Sequence, residues 1–285
     1  MPDKTGISYC RFGKAGGIPA FYFHGLPGSA LEGELLHDAC LSHGVDLVAA
    51  ERFGYGESAP YAGKQSTNRY SAWAQAINQL ADALGFDHVY LFAASGGGPY
   101  ALACASLLRQ RVIATGIAAG LGPIVNPALR RQMLPRARWA FYLALHHPLL
   151  LRASYGMTVN MAAKYFSHTA ITLLGKMNSP ADRTALAQER THQIMQRSFH
   201  RALAQGIQGA VDDLCAAQQA WPFSLDAIHR LHLWHGDKDR VVPLSHSQWV
   251  QQQVAGSRLH LLPGEGHFSV PIGHADEIVR TLLAD

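Results

Sequence analysis

Short runs of β-branched and aromatic residues alternate along this chain with longer helical patterns, and that alternation narrows the fold to a mostly parallel sheet covered by helices. The strand-like runs are Ile18–Phe23, Val45–Ala50, Val89–Ala93, Val112–Ile117, Leu231–Trp234 and Leu259–Leu262. Several are apolar on both faces, as central strands packed between two helical layers must be. Pro19 is compatible with a strand only near its start. Helical patterns fill the gaps at Ala30–His43, Ala72–Leu84, Pro99–Leu108 and Ala275–Leu283.

The alternation stops after Ile117. From 121 to 227 the chain is rich in Ala, Leu, Arg and Gln, reads as helical throughout, and is broken at Pro127, Pro135, Pro148 and Pro180. Strand chemistry then resumes at Leu231. The expected organisation is an α/β core from 1–120 and 228–285, with 121–227 inserted as a helical cap over the carboxyl ends of the strands. Ligands of open α/β sheets bind at that edge.

A length of 285 residues suits one core with a large insertion better than two full domains. The 24 basic and 20 acidic residues are dispersed without like-charge runs, which argues against a nucleic-acid surface. Cys10, Cys40, Cys104 and Cys215 lack the paired spacing of redox or zinc motifs and read as free thiols. The stretch from Trp139 to Met157 is the most membrane-like. His146, His147, Pro148 and Arg152 interrupt it before ~18 apolar residues accumulate. The N-terminus lacks a signal-peptide profile. A cytoplasmic protein without membrane partners is expected.

The chemistry concentrates in turns that follow strands. Phe92-Ala93-Ala94-Ser95-Gly96-Gly97-Gly98-Pro99 joins a strand to a helix, with small residues two before and two after Ser95. That spacing lets a serine occupy a sharp turn that lifts its hydroxyl above the sheet and places the Gly96 amide to bind an oxyanion. The same glycines fit a dinucleotide fingerprint. That use requires an acidic residue about 20 positions on, and Leu107 to Leu121 contains none. Tyr22-Phe23-His24-Gly25-Leu26-Pro27-Gly28 follows an earlier strand and can present the Leu26 amide as the second oxyanion donor. Asp237 and Asp239 lie just past the Leu231 strand, where a carboxylate can orient a histidine. His267 lies in the Gly-rich loop after the last strand. Ser95, an Asp and His267 thus follow the chain order Ser…Asp…His.

With these turns in this order, the chain resembles the α/β-hydrolase superfamily from Ser8 to Leu283. Glu51-Arg52-Phe53-Gly54-Tyr55-Gly56-Glu57-Ser58 is similar to its D-R-x-G-x-G-x-S turn, with Glu51 in place of Asp, and Ala93 departs from G-x-S-x-G. The stretch Gly236 to Pro243 is similar to its G-x-x-D-x-x-V-P acid turn, which selects Asp239 and leaves Asp237 to form the turn. Haloalkane dehalogenases and epoxide hydrolases attack with Asp, so Ser95 points to acyl chemistry. Only Ile7–Phe12 can supply a strand ahead of Ile18, so the usual eight strands are expected to be shortened at the start.

The resemblance and the residues together imply a serine hydrolase cleaving a small or medium apolar acyl substrate, without cofactor or metal. His146-His147 and the His232/His235 pair lack a third ligand. Alternatives on the same fold are a slow or non-catalytic binding protein, or perhydrolase, C–C hydrolase or aminopeptidase chemistry. For an aminopeptidase, Asp182, Glu189, Asp212 and Asp213 offer carboxylates for an amine. His24, Gly25 and Phe268 from the core and Trp139, Tyr142 and Phe166 from the cap are expected to line the substrate pocket. Met133, Phe141, Tyr155, Met157, Met161 and Tyr165 are further apolar candidates in the cap. A base such as His267 predicts activity falling at low pH, with a midpoint of roughly 6 to 7.

Overall fold

The computed structural model describes residues 6–63, 69–153, 175 and 178–284. Seven strands form one sheet: β1 (Tyr9–Gly13), β2 (Ile18–Phe23), β3 (Val45–Ala50), β4 (Val89–Ala94), β5 (Val112–Ala118), β6 (Leu231–Gly236) and β7 (Arg258–Leu262). Their order is β1-β3-β2-β4-β5-β6-β7. Only β1 runs antiparallel to its neighbour, pairing Tyr9 with Ala50 and Gly13 with Asp46. The short run before Ile18 therefore supplies one edge strand, and the described residues form seven strands rather than the usual eight.

Alternation along the strands divides the core between two faces. Phe21 and Phe23 of β2, Val48 and Ala50 of β3, and Leu91 and Ala93 of β4 point to one face. There they meet α2 (Arg69–Leu84), α3 (Gly98–Leu107) and α9 (Ser245–Gln253). Ala20 and Tyr22, Leu47 and Ala49, and Phe92 and Ala94 point to the other, against α1 (His37–Ser42), α10 (Ser269–Gly273) and α11 (Ala275–Leu283). Helix α2 buries Tyr70, Trp73, Ala74, Ile77, Leu80 and Ala81, a stripe at helical spacing, and stops at Gly85 with φ +71°. Fully buried Phe23 meets Trp73 edge-on with ring centroids 5.4 Å apart. Truncating such a side chain to Ala costs ~3–5 kcal/mol.

Between β5 and β6 the described residues form the helices α4 (Pro127–Gln132), α5 (Pro135–His146), α6 (Pro180–Ala187), α7 (Glu189–Ala202) and α8 (Gln208–Ala217). Pro127, Pro135 and Pro180, read above as breaks, each stand in the first turn of a helix, where a missing N–H costs nothing. A third apolar cluster joins this insertion to the ends of the strands, with Phe141, Val211 and Leu214 packed on Tyr55, Leu121 and Val242. Among the described residues, no helix is long and apolar enough to cross a membrane. Cys10, Cys40, Cys104 and Cys215 are free thiols.

Candidate active site

Four strand ends converge where the insertion covers the sheet. Ser95 follows β4 directly and has φ +53°, in the left-handed region that costs a non-glycine residue ~1–3 kcal/mol. The glycines after it exist for lack of space. A Cβ on Gly97 would stand 2.2 Å from the Phe23 carbonyl oxygen. One on Gly96 would stand 2.6 Å from Leu26 Cβ and 3.4 Å from Leu26 N. The turn after β2 therefore packs directly on the turn after β4, and Leu26, Ser95 and Gly96 line the same cavity. Ala93, beside Phe23 and Ile117 in the sheet, fills the place of the usual glycine with a buried methyl.

His267 Nε2 lies 2.9 Å from Ser95 Oγ, and His267 Nδ1 lies 2.8 Å from Asp239 Oδ2. The other oxygen of Asp239 accepts the Val241 and Val242 amides at 2.8 and 2.9 Å. Asp237 instead accepts the Gly264 amide from the exposed side, as its turn-forming role requires. A second histidine also reaches the buried acid: His235 Nε2 is 3.3 Å from Asp239 Oδ2 and 2.9 Å from the Val242 carbonyl. With Ser247 Oγ donating to Nδ1 at 2.7 Å, the His235 Nε2–H is shared between these two oxygens.

These contacts set the ionisation states. Burial pushes the Asp239 carboxyl up, but the His267 charge and the hydrogen bonds from His235 and His267 outweigh it, so its pKa is lowered. Burial pulls the His267 imidazolium down, while Asp239, Asp182 and Glu32 together raise its pKa above the ordinary 6.5. The arrangement suits a base that accepts a proton from Ser95.

The cavity beside Ser95 has a volume of about 150 Å³. Leu121, Met133, Ala137, Ala140, Phe141, Ala210, Leu214, Val241 and Val242 complete its lining with Leu26. Every one of these side chains is apolar. The expected pocket needs correction at several positions. His24 is fully buried beneath the loop. Its Nδ1–H donates to the Gly25 carbonyl at 2.9 Å and its Nε2 accepts the Arg52 amide at 3.2 Å. Gly25 is buried with it, its amide bonded to Glu32 at 2.8 Å. Trp139 and Tyr142 stand on the outer face of α5, 61% and 47% exposed, and border a separate surface hollow with Pro135 and Arg138. Phe268 packs edge-on against the His267 ring and is absent from the cavity lining. Phe166, with Tyr155, Met157, Met161 and Tyr165, lies outside the described residues.

A buried ionic network, not foreseen from the sequence, lies under the His24–Leu26 loop. Arg52 donates to the carbonyl oxygens of His24 and, at 2.8 Å, Gly25. Its Nε pairs with Asp213 at 2.9 Å. Asp213 also accepts from Tyr55, Arg69 and Tyr100, so all its acceptor capacity is used within the fold. Asp182 is likewise fully buried and bonded to backbone amides, and neither it nor Glu189, Asp212 or Asp213 lines the cavity. The carboxylates proposed for an amine substrate are therefore placed elsewhere. Glu51 accepts from Ser8, the Glu57 amide and Arg201, and its carboxylate occupies the space a Cβ on Gly56 would need. Among the described residues, no group of three His, Cys, Asp or Glu side chains could hold a metal ion.

A family model described as the alpha/beta hydrolase family matches residues 21–281. The non-heme chloroperoxidase of Streptomyces lividans is 28% identical over 123 residues, 43% of this chain and 44% of that protein. The Serine hydrolase BPHL of Mus musculus is 48% identical over 46 residues, 16% of each chain. The matches thus span less than half the length of these curated relatives. Among solved structures, a bromoperoxidase from Bacillus anthracis superposes with a TM-score of 0.69 at 20% identity, over 98% of this chain and 95% of that one. An esterase from Exiguobacterium antarcticum gives 0.67 at 19% identity, over 98% and 94%. At these identities the structural likeness concerns the fold.

Proposed function

The chain belongs to the alpha/beta hydrolase family, and we propose that within it this protein is a serine hydrolase that cleaves ester-like bonds of small apolar acyl groups. The observation that carries the reading is the continuous hydrogen-bonded line Ser95–His267–Asp239 opening onto an apolar cavity. Ser95 Oγ attacks the acyl carbon as His267 Nε2 takes its proton. Asp239 holds the Nδ1–H and the charge that forms on the ring. The Leu26 and Gly96 amides receive the oxyanion, a contribution worth ~100- to 1,000-fold for each donor. His267 then protonates the leaving alcohol. Water, activated by the same nitrogen, attacks the acyl-enzyme and frees the serine.

The cavity supports a small apolar acyl group as substrate. Its volume of about 150 Å³ is below the roughly 300–1,000 Å³ of sites for drug-sized ligands. Among the described residues, its walls offer no partner for a charged or strongly polar acyl chain. A p-nitrophenyl ester series tests the proposal. Each methylene that finds room is worth about 0.8 kcal/mol, or about fourfold in kcat/KM. The rate should climb from acetate to butyrate or hexanoate and then fall once the chain outgrows the cavity. A flat profile, or hydrolysis favouring charged acyl groups, would contradict the assignment. The esterase and serine hydrolase among the similar proteins support this reading.

A further inference from the structure

We propose that Asp182, on helix α6 of the insertion, is a positioning residue for His267: its carboxylate grips the backbone of the loop that carries the base, and residue 266 is glycine because that carboxylate, with the Ser179 hydroxyl, fills the place of a side chain. The inference rests on the reading of Ser95 and His267 as a reacting pair.

Asp182 is fully buried. One oxygen accepts the Phe268 and Ser269 amides at 2.7 and 2.9 Å. The other accepts the His267 amide at 3.1 Å and the Ser179 amide at 3.3 Å. Helix capping explains the Ser179 bonds, since Ser179 and Asp182 form a capping box at the start of α6. It does not explain three successive amides 85 or more residues away. Four N–H groups converging on two oxygens call for an ionised carboxylate, because an amide would present donors to donors.

Gly266 is the second, independent mark of the grip. A Cβ there would stand 2.2 Å from both Asp182 Oδ2 and Ser179 Oγ, the two side chains of the capping box, and 2.5 Å from Asp182 Cγ. The carboxylate cannot retreat without breaking its amide bonds. Asp239 and Ser95 touch only the ring of His267; Asp182 fixes the chain from which the ring hangs. The insertion consequently bears on the reaction through the base, and α6 cannot lift away without loosening His267. The charged groups bearing on the ring are Asp239 after β6, Asp182 on α6 and Glu32 on the segment after β2.

Asp182→Asn and Gly266→Ala, each in the full chain, test this. Asp182 does not line the cavity, so KM for p-nitrophenyl butyrate should stay within about threefold while kcat drops. A displacement near 1 Å costs on the order of 100-fold. The double variant should be no worse than the poorer single one, since both remove the same contact. Loss of the Asp182 charge should also move the titration midpoint of the His267 ring nitrogens, read by ¹⁵N NMR, to lower pH in D182N. A folded D182N with unchanged kcat and unchanged titration would overturn the proposal. If D182N fails to fold, a wild-type rate in Gly266→Ala would do so. A wild type that hydrolyses no ester sinks the hydrolase reading instead, and the NMR titration still decides whether Asp182 acts on His267.

Discussion

Glu32 Oε2 accepts the Gly25 amide at 2.8 Å, so a buried carboxylate anchors the loop that carries Leu26 beside Ser95. The same oxygen accepts the Tyr22 hydroxyl at 3.2 Å. Burial raises the Glu32 pKa from its usual 4.5 to about 6, against the lowering effects of the Gly25 bond and of Arg52. The folded protein therefore holds this proton more tightly than the unfolded chain does. Stability from the protonated form is full below pH 4.5 and lost as pH rises through about 6. Glu32→Gln, which keeps an acceptor for Gly25, should be the more stable protein at pH 8 by up to ~2 kcal/mol and lose that advantage at pH 4.5. Urea melts at both pH values check it. A difference that does not vary with pH would show that Glu32 ionises as it does in the unfolded chain.

Asp213 is the shared counter-charge of two buried guanidinium groups, Arg52 and Arg69. Asp213→Ala strands Arg52, leaves Arg69 only the longer 3.6 Å pair with Asp212, and should destabilise by ~3–5 kcal/mol, whereas Asp212→Ala, at a half-buried position, should cost far less. Because Arg52 also bonds the His24 and Gly25 carbonyls, any Asp213→Ala protein that folds should lose kcat as the oxyanion loop loosens. Comparable denaturation midpoints for the two variants would contradict this account of the network.

The acid limb of kcat/KM should report His267 in the free protein. Its pKa is raised above 6.5 by Asp239, Asp182 and Glu32 despite burial. Activity should therefore fall as pH drops through a midpoint above 6.5, the upper part of the range expected for an ordinary histidine. Asp239→Asn should lower that midpoint and reduce kcat by up to ~10,000-fold, since the wrong tautomer is then favoured. An activity that stays flat from pH 8 to pH 5 would remove His267 from the role of base.

What the sequence revealed tracks how local the signal is. Strand positions and the order of Ser95, Asp239 and His267 were legible because each turn follows its strand directly, and β-runs at the centre of a sheet are apolar on both faces. The cavity was not. Helix α5 turns Ala137, Ala140 and Phe141 inward at helical spacing, but two of the three are alanines. The bulky Trp139 and Tyr142 drew the eye to the opposite, solvent-facing side. His24, read as a pocket residue, proved to be a strut, because its partner Arg52 comes from a different strand end. From the sequence, Asp182 was one of four carboxylates that could meet an amine; its capping box with Ser179 and its grip on the His267 loop emerge only in the structure. The grip depends on a loop 85 residues away, which no local pattern encodes.

The most direct test is covalent labelling of Ser95. Intact-mass analysis of the protein treated with a fluorophosphonate should show one adduct per chain, and Ser95→Ala should show none. The pair would establish an activated nucleophile held 2.9 Å from His267. A well-folded wild-type protein that takes up no label, or a Ser95→Ala variant that labels equally, would contradict the account at its centre.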